Sequence, residues 1–142
     1  MNLRFPFLSL PLALVVLRVG TASLFMAHAA TRIANGTIPR FAEYMANLGF
    51  PQSLAVVWLI TAVELVGGAL IIAGYYVRTC TIGLFAIALG GIVLIHRHRG
   101  WFVGEHGTGG SEYSVCLMLA LLVVAAADTG RPVLQPGRTT SH

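Results

Sequence analysis

Charge is what this sequence has least of. Only 10% of its residues are charged, under half the share that a soluble domain carries. With 56% of the chain apolar, the long apolar runs exclude a water-soluble globule and place the chain in a bilayer. Lysine is absent, and all nine basic residues are arginines. They stand at helix ends instead of clustering on one exposed element. The formal charge of +4 therefore reads as headgroup contact and topology, not as nucleic-acid binding. Cysteine is scarce too. Cys80 and Cys116 form no C-x-x-C pair, which excludes a thioredoxin-like motif and a zinc site. They lie near the starts of helices entering from opposite faces, roughly 15–25 Å apart in depth at about 1.5 Å per residue. A disulfide requires Cα atoms within about 7 Å. No metal motif, nucleotide-binding loop or repeat of fixed period is present, so a self-sufficient enzyme is the weakest reading.

What the sequence does have is apolar length. The length suits one domain, and about 20 apolar residues suffice to cross a bilayer. Phe7 to Ala30 is the first such segment. Arg4 and Ala27-His28-Ala29 imitate a cleaved secretory signal, but the run is too long for one and Arg18 lies inside it. Phe50 to Tyr76 is the second segment, with tyrosines at interface depth. Thr79 to Ile95 is the third, where Ala86 and Gly90 form a small-xxx-small pattern that lets helices approach. Ser111 to Ala127 is the fourth. Between the first two, Ile38, Phe41, Met45 and Leu48 recur at helical spacing, with Pro39 early and Gly49 at the end. That connector reads as a short amphipathic helix on the membrane surface. The fold class expected is all-α: four antiparallel transmembrane helices with a surface helix between the first and second. Residues 1–6 form a lead, 7–131 the transmembrane domain, and 132–142 a disordered tail.

Two constellations carry chemistry. Arg18 and Glu64 both lie near mid-membrane when depth is counted from the expected helix starts, and sequential antiparallel helices are usually neighbours. An intramembrane Arg18–Glu64 pair is expected, with Thr61, Gly67 and Gly68 on the face of Glu64. Such a pair either locks the bundle or gates a proton or ligand path. The second constellation is a polar mouth at one membrane face: His28 and Arg32 one turn apart, His96, His98 and Trp101 after the third span, and Glu112 and Tyr113 opening the fourth. Arg18, position 25 and Arg32 fall on one stripe at heptad spacing, so the mouth connects to the midplane. These residues are candidate ligand contacts. The plainer reading of His96 to Arg99 is a basic membrane boundary, and Glu112 also complements the helix macrodipole. Haem ligation by His28 and His96 is a weak alternative. No compact metal site is present, since His96-x-His98 is too short for one.

These residues resemble a known family. Arg18, Phe25, His28 and Arg32 keep the order and spacing of the first helix in the DoxX family of small four-helix bacterial membrane proteins. The family's usual glycines are Ala22 and Ala29 here, and its usual lysine is Arg32. Leu48-Gly49-Phe50-Pro51 is similar to its Leu-Gly-x-Pro. Glu64-Leu65-Val66-Gly67-Gly68, followed by Gly74 and Arg78, is similar to its second-helix motif. Gly110-Ser111-Glu112-Tyr113 resembles its fourth-helix opening. The Ser-Leu-Asp common after Gly130-Arg131 is missing, and the likeness covers residues 14–131. It implies a multi-pass protein of a bacterial inner membrane with cytoplasmic termini. Family members are associated with membrane oxidoreductase complexes, including quinone-linked sulfur oxidation, alongside soluble partners.

Together these observations point to a membrane subunit of a redox complex. A quinone or other small ligand would be held in the polar mouth, with redox proteins as partners. The alternatives are a small transporter or proton-conducting bundle on the same polar stripe, and a structural anchor without chemistry. The charge rule leaves orientation open, because Arg4, Arg78, Arg131 and Arg138 on one side balance Arg32, Arg40, Arg97 and Arg99 on the other. Four spans put both termini on one side. A reporter fused after Arg138 and one inserted near Gly107 should therefore report opposite compartments, and equal signals would refute four spans.

Overall fold

The computed structural model describes residues 8–95, 100–102 and 110–128. Among them there is no strand, and the helices follow the apolar runs. Helix α1 spans Leu10–Ala34, α2 Ile38–Asn47, α3 Ser53–Ala73, α4 Val77–Leu94 and α5 Glu112–Ala127. Helices α1, α3 and α4 are long and apolar enough to cross a membrane. Helix α5 is apolar but has 16 residues, about 24 Å at 1.5 Å per residue, short of a core about 30 Å thick. The lead 1–6, the tail 132–142, His96 and His98 lie outside the described residues.

The helix ends have local causes. Gly74 adopts φ 82°, a left-handed conformation open to a residue without Cβ. The Tyr75 N–H turns back to the Leu70 carbonyl at 2.9 Å, closing α3 as a Schellman-type cap does. Gly49, at φ 89°, ends α2 in the same way, with the Phe50 N–H on the Met45 carbonyl at 3.1 Å. The Arg78 guanidinium donates to the Asp128 carbonyl at 2.8 Å, which ties the start of α4 to the end of α5 and satisfies an orphan helix carbonyl.

Helix α1 packs against α3 and α5, and α4 packs against α3 and α5. The shared core is built from Phe25 of α1, Ile71 of α3, Leu84 of α4, and Leu121 and Val124 of α5. Glycine allows the closest approach. A Cβ at Gly68 would press on the Met26 side chain and lie 3.3 Å from the Ala22 carbonyl oxygen, so α1 sits directly on the α3 backbone there. The small-residue pattern of α4 behaves otherwise. Among the described residues no atom lies within 4 Å of a Cβ added at Gly90, so that stripe is not the close helix contact its sequence implies.

The connector is helical as its periodicity implies, but its apolar edge faces protein instead of lipid. Ile38, Ala42 and Met45 are buried against Val57, with Val56 and Leu94 packed around them. The Tyr44 hydroxyl donates to the Leu94 carbonyl at 2.8 Å, fastening α2 to the end of α4. Among the described residues, the first half of α3 packs mainly on α2, which gives α2 an apolar bed.

Replacing Gly68 by leucine should force α1 and α3 apart and lower thermal stability in detergent by about 1–3 kcal/mol, the usual cost of overpacking. The same replacement at Gly20, where a Cβ meets no atom of the described residues within 4 Å, should not lower it. Equal melting temperatures for the two variants would contradict the close packing at Gly68.

Candidate functional site

The middle of α3 is not regular. Val63–Gly67 forms a π turn, a wider turn that is common at functional sites. It inserts one residue, and one residue rotates the following helix by about 100°. Glu64 and Gly68, one turn apart, are both buried, and Gly68 meets α1. Glu64 is only 2% exposed. A carboxylate so placed needs a partner, since a lone buried charge is costly.

Its partner is Arg32, not Arg18. Arg32 Nη1 lies 2.7 Å from Glu64 Oε2 and donates also to Thr61 Oγ1 at 2.8 Å. The Thr61 hydroxyl in turn donates to the Val57 carbonyl at 2.8 Å. The guanidinium stands 5.3 Å from the centre of the Phe41 ring, within cation–π range. Side-chain exposure is 10% for Arg32 and 3% for Glu64. One residue each from the ends of α1 and α2 therefore closes on the middle of α3.

The expected Arg18–Glu64 pair does not form. Arg18 Nε is buried without a hydrogen-bond partner among the described residues. The physical reason is helix offset. Gly68 faces Ala22 and Met26. Moving about four residues along each antiparallel helix sets Glu64 level with His28, one turn short of Arg32. Moving about six the other way sets Arg18 level with Gly74, at the far end of α3. Counting depth from the helix starts assumed equal overhang, whereas α1 has 25 residues and α3 has 21. Arg32 stays buried at a helix end because α2 folds over it. Two signals pointed to it: its place on the stripe with Phe25, and Thr61 one turn from Glu64.

The pair borders a cavity of about 500 Å³, which His28 and Tyr113 also line. A wider groove of about 710 Å³, bordered by His28, Arg32, Arg40 and Tyr113, runs outward between α1 and α2. The structure thus brings four expected site residues together: His28, Arg32, Glu64 and Tyr113. Trp101 is exposed, and its carbonyl accepts the Glu112 N–H at 3.0 Å. Neither Trp101 nor Glu112 lines these cavities as described. Gly110 permits this contact, since a Cβ there would overlap the Trp101 carbonyl. Among the described residues no group of His, Cys, Asp and Glu is arranged to hold a metal. Chemically, the site is a neutralised ion pair with spare N–H donors, set in an apolar chamber.

Breaking the pair from one side should cost about 3–5 kcal/mol, while removing both charges together is far milder. Arg32→Leu and Glu64→Leu should each lower stability in detergent strongly, and the double variant should recover much of the loss. Arg18→Leu combined with Glu64→Leu should be additive within about 0.5 kcal/mol. Coupling of Glu64 to Arg18 in place of Arg32 would refute this geometry.

The family model described as DoxX matches residues 13–97 of the chain. A Bacillus subtilis (strain 168) protein named "Putative oxidoreductase CatD" is 28% identical over 130 residues, covering 90% of this chain and 88% of that protein. No solved structure matches the chain at a significant level.

Proposed function

The chain belongs to the DoxX family, and from that premise we propose that this membrane protein is the multi-pass subunit of a redox complex. In this reading α5, extended by its neighbouring residues, is a fourth antiparallel span. The transmembrane domain runs over 7–131, and a short tail follows. The protein sits in a bacterial inner membrane with its termini in the cytoplasm, and it works with a soluble or membrane redox protein. The name carried by the Bacillus subtilis relative supports a redox association for this chain.

The observation that carries the proposal is the buried Arg32–Glu64 pair at the polar end of an apolar cavity of about 500 Å³. Ligand pockets are commonly of about 300–1,000 Å³, mostly apolar, with a few convergent polar groups. Arg32 Nη1 makes both of the bonds that hold it to α3. Its Nε and Nη2 donate to no described residue, so they are the donors offered to a ligand such as a quinone headgroup. His28 and Tyr113 stand at the rim as further hydrogen-bonding groups. Glu64 fixes the guanidinium in place, so the donors are preorganised.

The test is extraction from native membranes with mild detergent, followed by mass spectrometry of co-purifying proteins and small molecules. A redox protein and a bound quinone are expected. Arg32→Lys keeps the charge beside Glu64 but loses the planar fork. Losing charge-assisted hydrogen bonds of about 1.5–3 kcal/mol should lower quinone occupancy about ten-fold or more. Absence of any redox protein, with no small molecule sensitive to Arg32→Lys, would overturn the proposal.

A further inference from the structure

The polar pair accounts for one end of the cavity but not for its α4 wall, where small residues stand among larger ones. Ala86, Ala88, Gly90 and Gly91 line it beside Ile87 and Leu94, and among the described residues a Cβ added at Gly90 would meet no atom within 4 Å. The space exists because α3 and α4 diverge. From Val63 onward α3 packs along α4, while Ser53–Ala62 packs on α2. At the narrow end of this wedge, a Cβ at Gly83 would lie 3.3 Å from Val63 Cγ1. At the wide end α2 bridges the gap, with Met45 buried beside Val56 and Leu94, and Tyr44 bonded to the Leu94 carbonyl. Between these ends, Val56 and Ile60 line the cavity together with the small residues of α4. Protein interiors are close-packed, with few voids, and dry apolar space attracts apolar matter. Ala86 and Phe50, both on the rim, are exposed on the outer surface of the bundle.

We infer that this wedge is a slot for the hydrocarbon chain of a neutral-headed amphiphile entering sideways from the bilayer, and that Gly90 sets its width. The inference rests on reading the cavity as a ligand site. Charge selects the head: Glu64 already neutralises Arg32 at 2.7 Å, and an anionic head would have to settle beside that carboxylate. A carbonyl oxygen takes the spare N–H donors of Arg32 without repulsion. A chain lying against Gly90 and Gly91 then fills the space that larger side chains would occupy.

The experiment uses the purified full-length protein in lipid nanodiscs and a benzoquinone whose decyl chain carries a diazirine. After photolysis, labelled peptides are mapped by mass spectrometry. Label should concentrate on residues 86–94 of wild type, fall about ten-fold in Gly90→Leu, and persist in Gly20→Leu, whose glycine also has open space around it. Gly90→Leu should melt no lower than wild type, because leucine enters empty space, and Ala86→Leu at the rim should lower labelling in the same direction. A probe with the same chain and a carboxylate head should label more weakly. Equal labelling of wild type and Gly90→Leu, label absent from α4, or stronger labelling by the carboxylate would overturn the inference. Thermal protection by a chainless methyl benzoquinone tests the head site separately. Such protection without wedge labelling removes the chain slot alone. Wedge labelling in a protein that has no redox partner removes the redox reading alone.

Discussion

The Arg32–Glu64 pair sets the terms on which the helices meet. Glu64 sits in the middle of an apolar helix, where an unpaired carboxylate would be strongly unfavourable, and Arg32 stands at the last turn of a different helix. Bringing them to 2.7 Å commits α1 and α3 to one offset. Desolvating two charges is offset only when geometry and additional hydrogen bonds are good. Thr61 supplies the second acceptor and is itself anchored to the Val57 carbonyl. The Phe41 ring covers the guanidinium from α2. The pair therefore ties together three helices that are consecutive in the chain, and Glu64 itself stands in the π turn of α3.

Around that constraint the bundle has two unlike halves. In one, Phe25, Leu84 and Leu121 interlock and Gly68 admits α1 against the α3 backbone. In the other, α3 leans away from α4 and leaves a chamber that α2 partly roofs. Tight packing in the first half holds the polar pair steady, and loose packing in the second leaves volume beside it. That pairing of a rigid, neutralised charge with open apolar space is the arrangement a ligand site in a bilayer needs.

Much of this was legible in advance. Apolar length marked α1, α3 and α4, and left-handed glycines ended α2 and α3 where Gly49 and Gly74 stand. A carboxylate in mid-helix announced that Glu64 is buried and paired. The heptad stripe through Arg18, Phe25 and Arg32 named one face correctly, and Phe25 is indeed in the core. The choice between the two arginines on that stripe was not legible. It depends on how far α1 slides along α3, and that offset comes from Met26 and Ala22 fitting over Gly68, a contact between positions far apart in the chain.

The role of small residues shows the same division. Ala86 and Gly90 carry a pattern that means close helix packing when another helix lies against it, yet α3 diverges there and the pattern becomes part of a cavity wall. Local chemistry, acting between near neighbours, decides which segments are helical, where they stop, that they seek apolar surroundings and that Glu64 must have a cation. Such forces act within a few residues and can be read along the chain. Which cation answers Glu64, which glycine is a contact and which a gap, and whether α2 faces lipid or protein are settled only when distant side chains pack. Packing follows the offset, tilt and rotation of whole helices, and no single stretch of sequence contains them.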